Sequence, residues 1–196
     1  MDKGKVIVSQ LVTLDGVLED PDGSEGTPGG GWALRFGPER FAQFVAVVVA
    51  GVDFKLGSIL DTGALLMGRT TWDAFSRRWP NRSGDFADAM NRIPKVVVSR
   101  SAPVLDAWSN SSLLEGELVA GVADLTREQD VVVLGSTSVV HALAAAGLVD
   151  EYRLLVIPTA LGAGERLFVA PVDLQLTSIE TVGEAVLARY DRTARA

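Results

Sequence analysis

The stretch Leu65-Leu66-Met67-Gly68-Arg69-Thr70-Thr71-Trp72 decides the fold, because a short apolar strand passes through a glycine directly into a helix. A second junction, Val131-Val132-Val133-Leu134-Gly135-Ser136-Thr137-Ser138-Val139, has the same organisation. Each brings a glycine and small hydroxyl residues to a helix N-terminus, where free N–H groups and the helix dipole favour an anion. Ligands of open α/β sheets bind at this edge of the strands. The two junctions together predict a phosphate or dinucleotide site, whereas tight turns and helix caps also explain either one alone.

The rest of the pattern predicts one α/β domain over residues 1–196. Buried strands without polar alternation are predicted at 6–12, 64–67, 95–98, 131–134 and 152–157. Helices are predicted at 38–60, 70–78, 117–126 and 137–146, with Thr70 and Ser136 as N-caps and Gly147 after the last. A closing hairpin is predicted at 174–182 and 185–190. Apolar strands that alternate with helices indicate a mainly parallel sheet covered by helices on both faces.

The composition argues against several kinds of site. The chain has no cysteine and one histidine, His141, so disulfides, thiolate chemistry and a metal centre are not expected. The net charge is −7 and Lys and Arg form no cluster, which argues against a nucleic-acid partner. The apolar runs are too short for a signal peptide or a membrane span, so a cytoplasmic protein is expected.

Three motifs resemble those of dihydrofolate reductases. Gly68-Arg69-Thr70-Thr71-Trp72 resembles their Gly-Arg-x-Thr-Trp motif. Val98-Ser99-Arg100 resembles the strand end that in those enzymes meets the adenosine 2′-phosphate of the cofactor. Leu134-Gly135-Ser136-Thr137-Ser138-Val139 resembles their glycine-rich turn against the pyrophosphate. The order and the approximate spacing of the three motifs also agree.

Two further stretches resemble a particular branch of that superfamily, the C-terminal reductase domain of the bifunctional deaminase-reductase of bacterial riboflavin biosynthesis. They are Ser9-Gln10-Leu11-Val12-Thr13-Leu14-Asp15-Gly16-Val17 and the segment 150–164, which ends in Leu161-Gly162-Ala163-Gly164. The resemblance covers roughly residues 5–168 and indicates a stand-alone form of this domain.

The resemblance implies a dihydrofolate-reductase-like three-layer α/β/α fold, with a mainly parallel central sheet, a C-terminal antiparallel hairpin and NADPH as cofactor. In this family pattern the first junction holds cofactor phosphates and the second cradles the pyrophosphate. Ser99 and Arg100 meet the 2′-phosphate, which favours NADPH over NADH, and the nicotinamide lies near the end of the first strand. The cofactor residues so implied are Leu11, Thr13, Gly68, Arg69, Thr70, Thr71, Ser99, Arg100, Gly135, Ser136, Thr137, Ser138, Val139, Leu161 and Gly162.

Other residues are candidates for the substrate side of the site. Asp15 follows the first strand in a loop, so we expect it to handle a proton or bind substrate, or else to be a common Asp-Gly turn residue. Trp32 follows the long loop 19–31 and would either cover the substrate or pack as a core aromatic. Asp53 is, by spacing, the candidate for the carboxylate that binds the pterin in dihydrofolate reductases.

These observations favour an NADPH-dependent reductase of a small heterocyclic substrate, similar to the 5-amino-6-(5-phosphoribosylamino)uracil reductase of riboflavin biosynthesis. Val17 stands where the riboflavin-pathway pattern has a lysine, which departs from a phosphoribosyl-type substrate site. That departure leaves a non-catalytic nucleotide-binding module as one alternative, and dihydrofolate reductase proper is another. The partners expected are a small-molecule substrate and, from the resemblance, a second copy of the chain, with the strand at 152–157 as a contributor to that homodimer.

Overall fold

The chain divides into two compact units. A computed structural model describes residues 3–36, 39 and 59–193. Met1–Val8 and Leu56–Asp150 form the first unit, and Ser9–Lys55 and Glu151–Ala196 form the second. The first strand, β1 (Val6–Thr13), begins in the first unit and ends in the second. The single domain predicted over residues 1–196 stays a prediction.

The first unit contains a parallel sheet with the strand order β4-β3-β2-β5-β1. The strands after β1 are β2 (Ala64–Gly68), β3 (Lys95–Val98), β4 (Ser111–Leu113) and β5 (Val131–Val133). Strand β2 lies between β5 and β3, with Leu66 opposite Val133 and Gly68 opposite Val98. Because these pairings are parallel, the carboxyl ends of β2, β3 and β5 reach the same edge of the sheet.

Helices and a large apolar cluster complete the first unit. The helices are α1 (Ile59–Thr62), α2 (Arg69–Ser76), α3 (Asp85–Arg92), α4 (Leu118–Leu125) and α5 (Thr137–Ala145). Gly147 ends α5 with a φ of 68°, and its N–H donates to the Ala144 carbonyl at 3.0 Å. The core cluster includes Leu65, Met67 and the two indoles of Trp72 and Trp108, all of them buried.

The second unit contains an antiparallel sheet with the order β6-β8-β7. Its strands are β6 (Glu151–Ile157), β7 (Leu174–Val182) and β8 (Ala185–Arg192). A 3₁₀ helix, Trp32–Phe36, brings Trp32 and Ala33 against Leu155, Ile157 and Leu187. Trp32 is 0% exposed, so this cluster is the core of the second unit.

Most of the predicted fold is confirmed: the structure is a mixed α/β fold with a mostly parallel sheet and C-terminal antiparallel strands. The predicted N-cap at Thr70 is wrong, because Gly68 has the extended conformation of an N-cap and α2 already begins at Arg69. The helix predicted to reach residue 78 ends at Ser76. The helix predicted over 38–60 lies largely outside the described residues.

Within the described residues, helix α3, strand β4 and the 3₁₀ helix Trp32–Phe36 were not predicted. Helix α3 buries only Ala87 and Met90, so its apolar face is narrow. Asp85 at its start and Arg92 in its last turn suit the helix dipole, and these charges could have indicated a helix. Strand β4 is short and its residues are partly or fully exposed, so no apolar pattern marks it.

Candidate functional site

The two glycine turns that were predicted to bind an anion contact each other in the first unit. The Gly68 N–H donates to the Gly135 carbonyl at 3.2 Å. Gly135 has a φ of 128°, and a Cβ placed on it would lie 2.9 Å from the Thr71 hydroxyl oxygen. A Cβ on Gly68 would overlap the hydroxyl of Ser136. Both turns therefore need glycine, since the backbone of each approaches the side chains of the other.

Each turn leads into the N-terminus of a helix that lacks a side-chain cap. Gly68 is the N-cap of α2 and Ser136 the N-cap of α5, and neither makes a side-chain cap hydrogen bond. The Ser136 hydroxyl instead lies 3.1 Å from that of Ser138, and the Gly135–Ser136 peptide bond is cis. The first N–H groups of a helix have no partner within the helix, so two sets of donors are gathered at this edge.

The side chains around these turns differ in their exposure. Thr70 and Ser138 are exposed, whereas Thr71 and Thr137 are half-buried. Val139 is 3% exposed, so its side chain packs into the protein and only its backbone is available to a ligand. The hydroxyls of the threonines and serines are therefore the polar side-chain groups that these turns offer.

The end of β3 adds a third polar segment to the same edge. Val98 pairs with Gly68, so Ser99 and Arg100 directly follow the position that pairs with the first turn. Ser99 is half-buried and its hydroxyl oxygen accepts the Ser101 N–H at 3.3 Å, while Arg100 is exposed. A hydroxyl and a guanidinium suit a phosphate monoester, which the predicted 2′-phosphate contact requires.

Arg69 is held against its own helix. Its Nε lies 2.8 Å from both carboxylate oxygens of Asp73, one turn further along α2. The centre of its guanidinium lies 6.0 Å from the centre of the Trp72 ring. The Arg69 side chain is 39% exposed, so that solvent or a ligand can reach it.

In the second unit, Asp15 closes a turn after β1. Its carboxylate accepts the Thr13 hydroxyl at 2.6 Å, the Gly162 N–H at 2.7 Å and the Leu161 N–H at 3.2 Å. The Thr13 hydroxyl also accepts the Val17 N–H at 2.9 Å. The predicted residues Thr13, Asp15, Leu161 and Gly162 are thus brought together by direct hydrogen bonds.

These hydrogen bonds change the acidity of Asp15. The Thr13 hydroxyl and then the Gly162 N–H stabilise the charged form and lower the pKa of Asp15 from 3.8 to about 2, against the opposing effect of desolvation. A carboxyl group with this pKa carries no proton at neutral pH and cannot donate one. The geometry therefore favours the turn alternative, in which Asp15 holds the backbone of Leu161 and Gly162.

Three predicted residues of the second unit belong to its apolar cluster or pack against it. Leu11 and Leu161 are partly buried and pack against the cluster that contains Trp32. The Trp32 indole N–H donates to the Glu19 carbonyl at 2.8 Å, and its side chain is fully buried. This burial favours the packed-aromatic alternative for Trp32 over a cover for the substrate.

A buried aspartate that sequence reasoning missed organises the loop before Trp32. Asp20 is 2% exposed and has a φ of 46°. Its carboxylate accepts the Glu25 N–H, the Thr27 N–H and the Thr27 hydroxyl at 3.0–3.1 Å, and its carbonyl accepts the Gly31 N–H at 2.9 Å. The Asp-Pro-Asp-Gly sequence that begins at Asp20 was the available signal, because aspartate bonds readily to nearby backbone in turns.

Other ionisable groups lie apart from both clusters. Lys95, at the opposite end of β3 from Ser99, is fully buried; it donates to the Asn91 and Ile93 carbonyls, and burial lowers its pKa to about 8. The predicted pterin carboxylate, Asp53, lies outside the described residues. Within residues 3–36, 39 and 59–193, no group of three or more metal-binding side chains could hold an ion, and no helix is long and apolar enough to cross a membrane.

The structure is a mixed α/β fold of the dihydrofolate-reductase-like type. The chain belongs to the RibD C-terminal domain family, whose model matches residues 4–188. The family resemblance predicted from the motifs is thereby confirmed. This family is a reductase domain, which supports an oxidoreductase.

Individual relatives agree with that assignment. The uncharacterised protein YyaP of Bacillus subtilis (strain 168) is 23% identical over 193 residues, covering 93% of this chain and 92% of that protein. A candidate riboflavin biosynthesis protein of Shewanella sp. PV-4 superposes with a TM-score of 0.70 at 20% identity, over 97% of this chain and 99% of the other. RibD of Acinetobacter baumannii gives a TM-score of 0.60 at 18% identity, over 98% of this chain and 59% of the RibD chain. At these identities the solved structures show the fold alone.

Proposed function

We propose that the protein is an NADPH-dependent reductase of a small heterocyclic substrate, similar to the 5-amino-6-(5-phosphoribosylamino)uracil reductase of riboflavin biosynthesis. The observation that carries the proposal is the convergence of three strand ends at one edge of the first unit, each of which supplies donors suited to phosphate. Membership of a reductase-domain family supports the same function.

In this proposal the residues of the first unit bind the cofactor's phosphate groups. The backbone and hydroxyls of the two glycine turns take the pyrophosphate, and the Arg69 guanidinium adds a charge. Ser99 and Arg100 take the 2′-phosphate, which would make the protein prefer NADPH to NADH. When bound, the cofactor supplies the hydride, and the protein orients it and excludes water.

A separate set of predicted residues is proposed for the nicotinamide and the substrate. The family pattern gives Leu11, Thr13, Leu161 and Gly162 to the nicotinamide, and Asp15 fixes the backbone of the last two by direct hydrogen bonds. Asp15 is thus a positioning residue at neutral pH. Val17 stands where the riboflavin-pathway pattern has a lysine, and it is 1% exposed. Because valine is neutral, this position presents no charge to a substrate.

The proposed domain organisation, oligomeric state and location of the protein are based on its resemblance to the family. We propose that residues 1–196 act as one reductase-type domain, since the family model spans parts of both units. A homodimer in the cytoplasm remains the expected form of the protein, and light scattering of the purified chain would test the dimer.

A titration with nucleotide tests the proposal. We expect NADPH to quench or shift the tryptophan fluorescence and to bind more tightly than NADH. Arg69→Ala should weaken NADPH binding at least about tenfold, since it removes a charge-assisted contact. Ser99→Ala should weaken NADPH but leave NADH binding unchanged.

The exposed pair of Arg127 and Asp124 supplies the matched control. Arg127→Ala removes an arginine of the same unit and should leave both affinities unchanged. Failure of the wild-type protein to bind either nucleotide at millimolar concentration would contradict the proposal.

A nucleotide-binding module without catalysis is the second candidate. Val17 favours it, because this residue stands where the riboflavin-pathway pattern has a lysine. Oxidation of NADPH in the presence of heterocyclic or carbonyl acceptors separates the two candidates. Binding without turnover of any acceptor would favour the module.

A further inference from the structure

Arg69 carries a charge that does not suit its place in the helix. It is the first residue of α2, where the helix dipole favours an acidic side chain and disfavours a cation. The first turn of α2 contains no acidic residue. The stability of the helix therefore does not explain an arginine at this position.

The ion pair with Asp73 also has the less favourable direction. Pairs four residues apart on a helix are more stabilising when the acidic residue comes first, and here the arginine comes first. The pair of Asp124 and Arg127 at the end of α4 has the opposite arrangement, with the acid first and the cation just beyond the helix C-terminus. That second pair suits its helix, whereas the first needs another explanation.

The geometry of the Arg69 pair provides one. Asp73 holds the guanidinium through Nε, which is 2.8 Å from both carboxylate oxygens. A guanidinium has four further N–H donors on its two terminal nitrogens, enough to bind a phosphate through two hydrogen bonds. The guanidinium also lies over the ring of Trp72, 6.0 Å from its centre. Trp72 is 2% exposed, and its indole N–H donates to the Ser111 hydroxyl at 2.9 Å.

We propose that Asp73 is a positioning residue that orients the Arg69 guanidinium for a cofactor phosphate at the start of α2. This inference rests on the proposed function. Asp73 makes no contact with the phosphate itself and acts through Arg69. Its negative charge opposes anion binding, but fixing the arginine before the ligand arrives removes the loss of side-chain freedom that binding would otherwise require.

A double-mutant cycle tests the inference. NADPH affinity is measured by tryptophan fluorescence for the wild type, Asp73→Asn, Arg69→Ala and the double variant. Asp73→Asn should weaken binding about three- to tenfold in the wild-type background. In the Arg69→Ala background it should not weaken binding and should leave the affinity unchanged or slightly higher, because only the repulsion between the Asp73 charge and the phosphate then remains.

Two further variants separate positioning from a general effect on folding. Asp73→Glu keeps a carboxylate four residues from Arg69 and should restore most of the affinity. Asp124→Asn breaks the other helical pair and should leave the affinity unchanged. The unfolding midpoint without nucleotide should be similar for all of these proteins, because the Arg69 and Asp73 side chains are 39% and 35% exposed and ion pairs open to solvent contribute little to stability.

Three outcomes would overturn the inference. Tighter NADPH binding by Asp73→Asn would show that the carboxylate only repels the phosphate. An equal effect of Asp73→Asn with and without Arg69 would show that it does not act through the arginine. In both cases wild-type binding of NADPH would leave the proposed function intact, whereas a wild-type protein that binds neither NADPH nor NADH would overturn the proposed function and this inference together.

Discussion

The glycine turns of the first unit and the Asp15 turn of the second use backbone N–H groups in opposite ways. In the first unit, two helices begin behind N-caps that make no side-chain hydrogen bond. In the second, the N–H groups of Leu161 and Gly162 already donate to the carboxylate of Asp15. The first arrangement, the turns at Gly68 and Gly135, therefore has N–H donors for the anion of a ligand. The second arrangement, Asp15 with Leu161 and Gly162, already contains an anion, the Asp15 carboxylate.

This difference shows how similar backbone groups acquire different functions. Donors that a protein carboxylate already satisfies stabilise a loop and fix its conformation. Donors at an uncapped helix N-terminus are instead satisfied by water or by a ligand, and so they can take part in binding. The comparison therefore supports the proposal that the first arrangement binds an external phosphate, whereas the second positions a loop.

The largest loss of NADPH affinity is expected from Gly135→Ala, which disrupts the first arrangement. Gly135 has a φ of 128°, and the added Cβ would lie 2.9 Å from the Thr71 hydroxyl oxygen. Strain of this kind costs on the order of 1–3 kcal/mol, and the turn must also move away from its partner. We expect a fall of at least about tenfold in NADPH affinity, measured by fluorescence titration, together with a lower urea midpoint.

Gly84→Ala is the matched control for that variant. Gly84 has a φ of 109° and leads into a helix, but no heavy atom lies within 4 Å of a Cβ placed on it. This variant should lose stability from strained backbone and keep its NADPH affinity. An equal loss of affinity in both variants would show that the contact between the two turns is irrelevant to binding.

The sequence was sufficient to predict the two strand-to-helix junctions because their signals are local, although it placed the N-cap of α2 at Thr70 instead of Gly68. Val131–Val133 and the strand before Gly68 are fully buried, so their continuous apolar sequences mark strands whose ends share an edge. Strand β4 could not be predicted in this way, because Ser111–Leu113 lies at the edge of the sheet and has no apolar pattern.

A smaller effect, a loss of stability that depends on pH, is expected from Asp15→Asn, which disrupts the second arrangement. The folded protein lowers the pKa of Asp15 from 3.8 to about 2, so this carboxylate contributes stability above about pH 4 and loses it as the pH falls towards 2. The asparagine variant should unfold more easily than the wild type at pH 7. The difference between them, followed by urea unfolding, should close between about pH 4 and pH 2.

Binding of 2′,5′-ADP tests whether Asp15→Asn leaves the first arrangement intact. This nucleotide carries the adenosine phosphates and lacks the nicotinamide, so its affinity should not change in Asp15→Asn. Asp106→Asn, at an exposed aspartate, is the matched control and should leave the urea midpoint at pH 7 unchanged. A pH-independent loss of stability in Asp15→Asn would contradict the assigned role of the ionised carboxylate.

The second arrangement was predicted only in part, because its contacts are distant in sequence. Asp15 was identified as a candidate from its place after a strand, but its partners Leu161 and Gly162 lie 146 and 147 residues away. The burial of Trp32 depends on strands β6 and β8, which local pattern does not connect to it. Such contacts follow from the tertiary fold and have no local signal.

The smallest effect is expected from Thr70→Ala, and it sharpens the account of the first arrangement. A threonine at the N-cap would lose about 1 kcal/mol of stability on replacement by alanine. Thr70 is instead an exposed residue inside α2, with Gly68 at the N-cap, so urea unfolding should show a change of less than about 0.5 kcal/mol. Thr126→Ala, at a buried threonine whose hydroxyl donates to the Ala123 carbonyl at 3.0 Å, should cost more, about 1 kcal/mol.

If Thr70→Ala were as destabilising as Thr126→Ala, Thr70 would be the cap that the sequence predicted, and its hydroxyl would already be used by the helix. If it is neutral for stability but weakens NADPH binding about twofold to threefold, the hydroxyl serves the ligand, as the uncapped helix start requires.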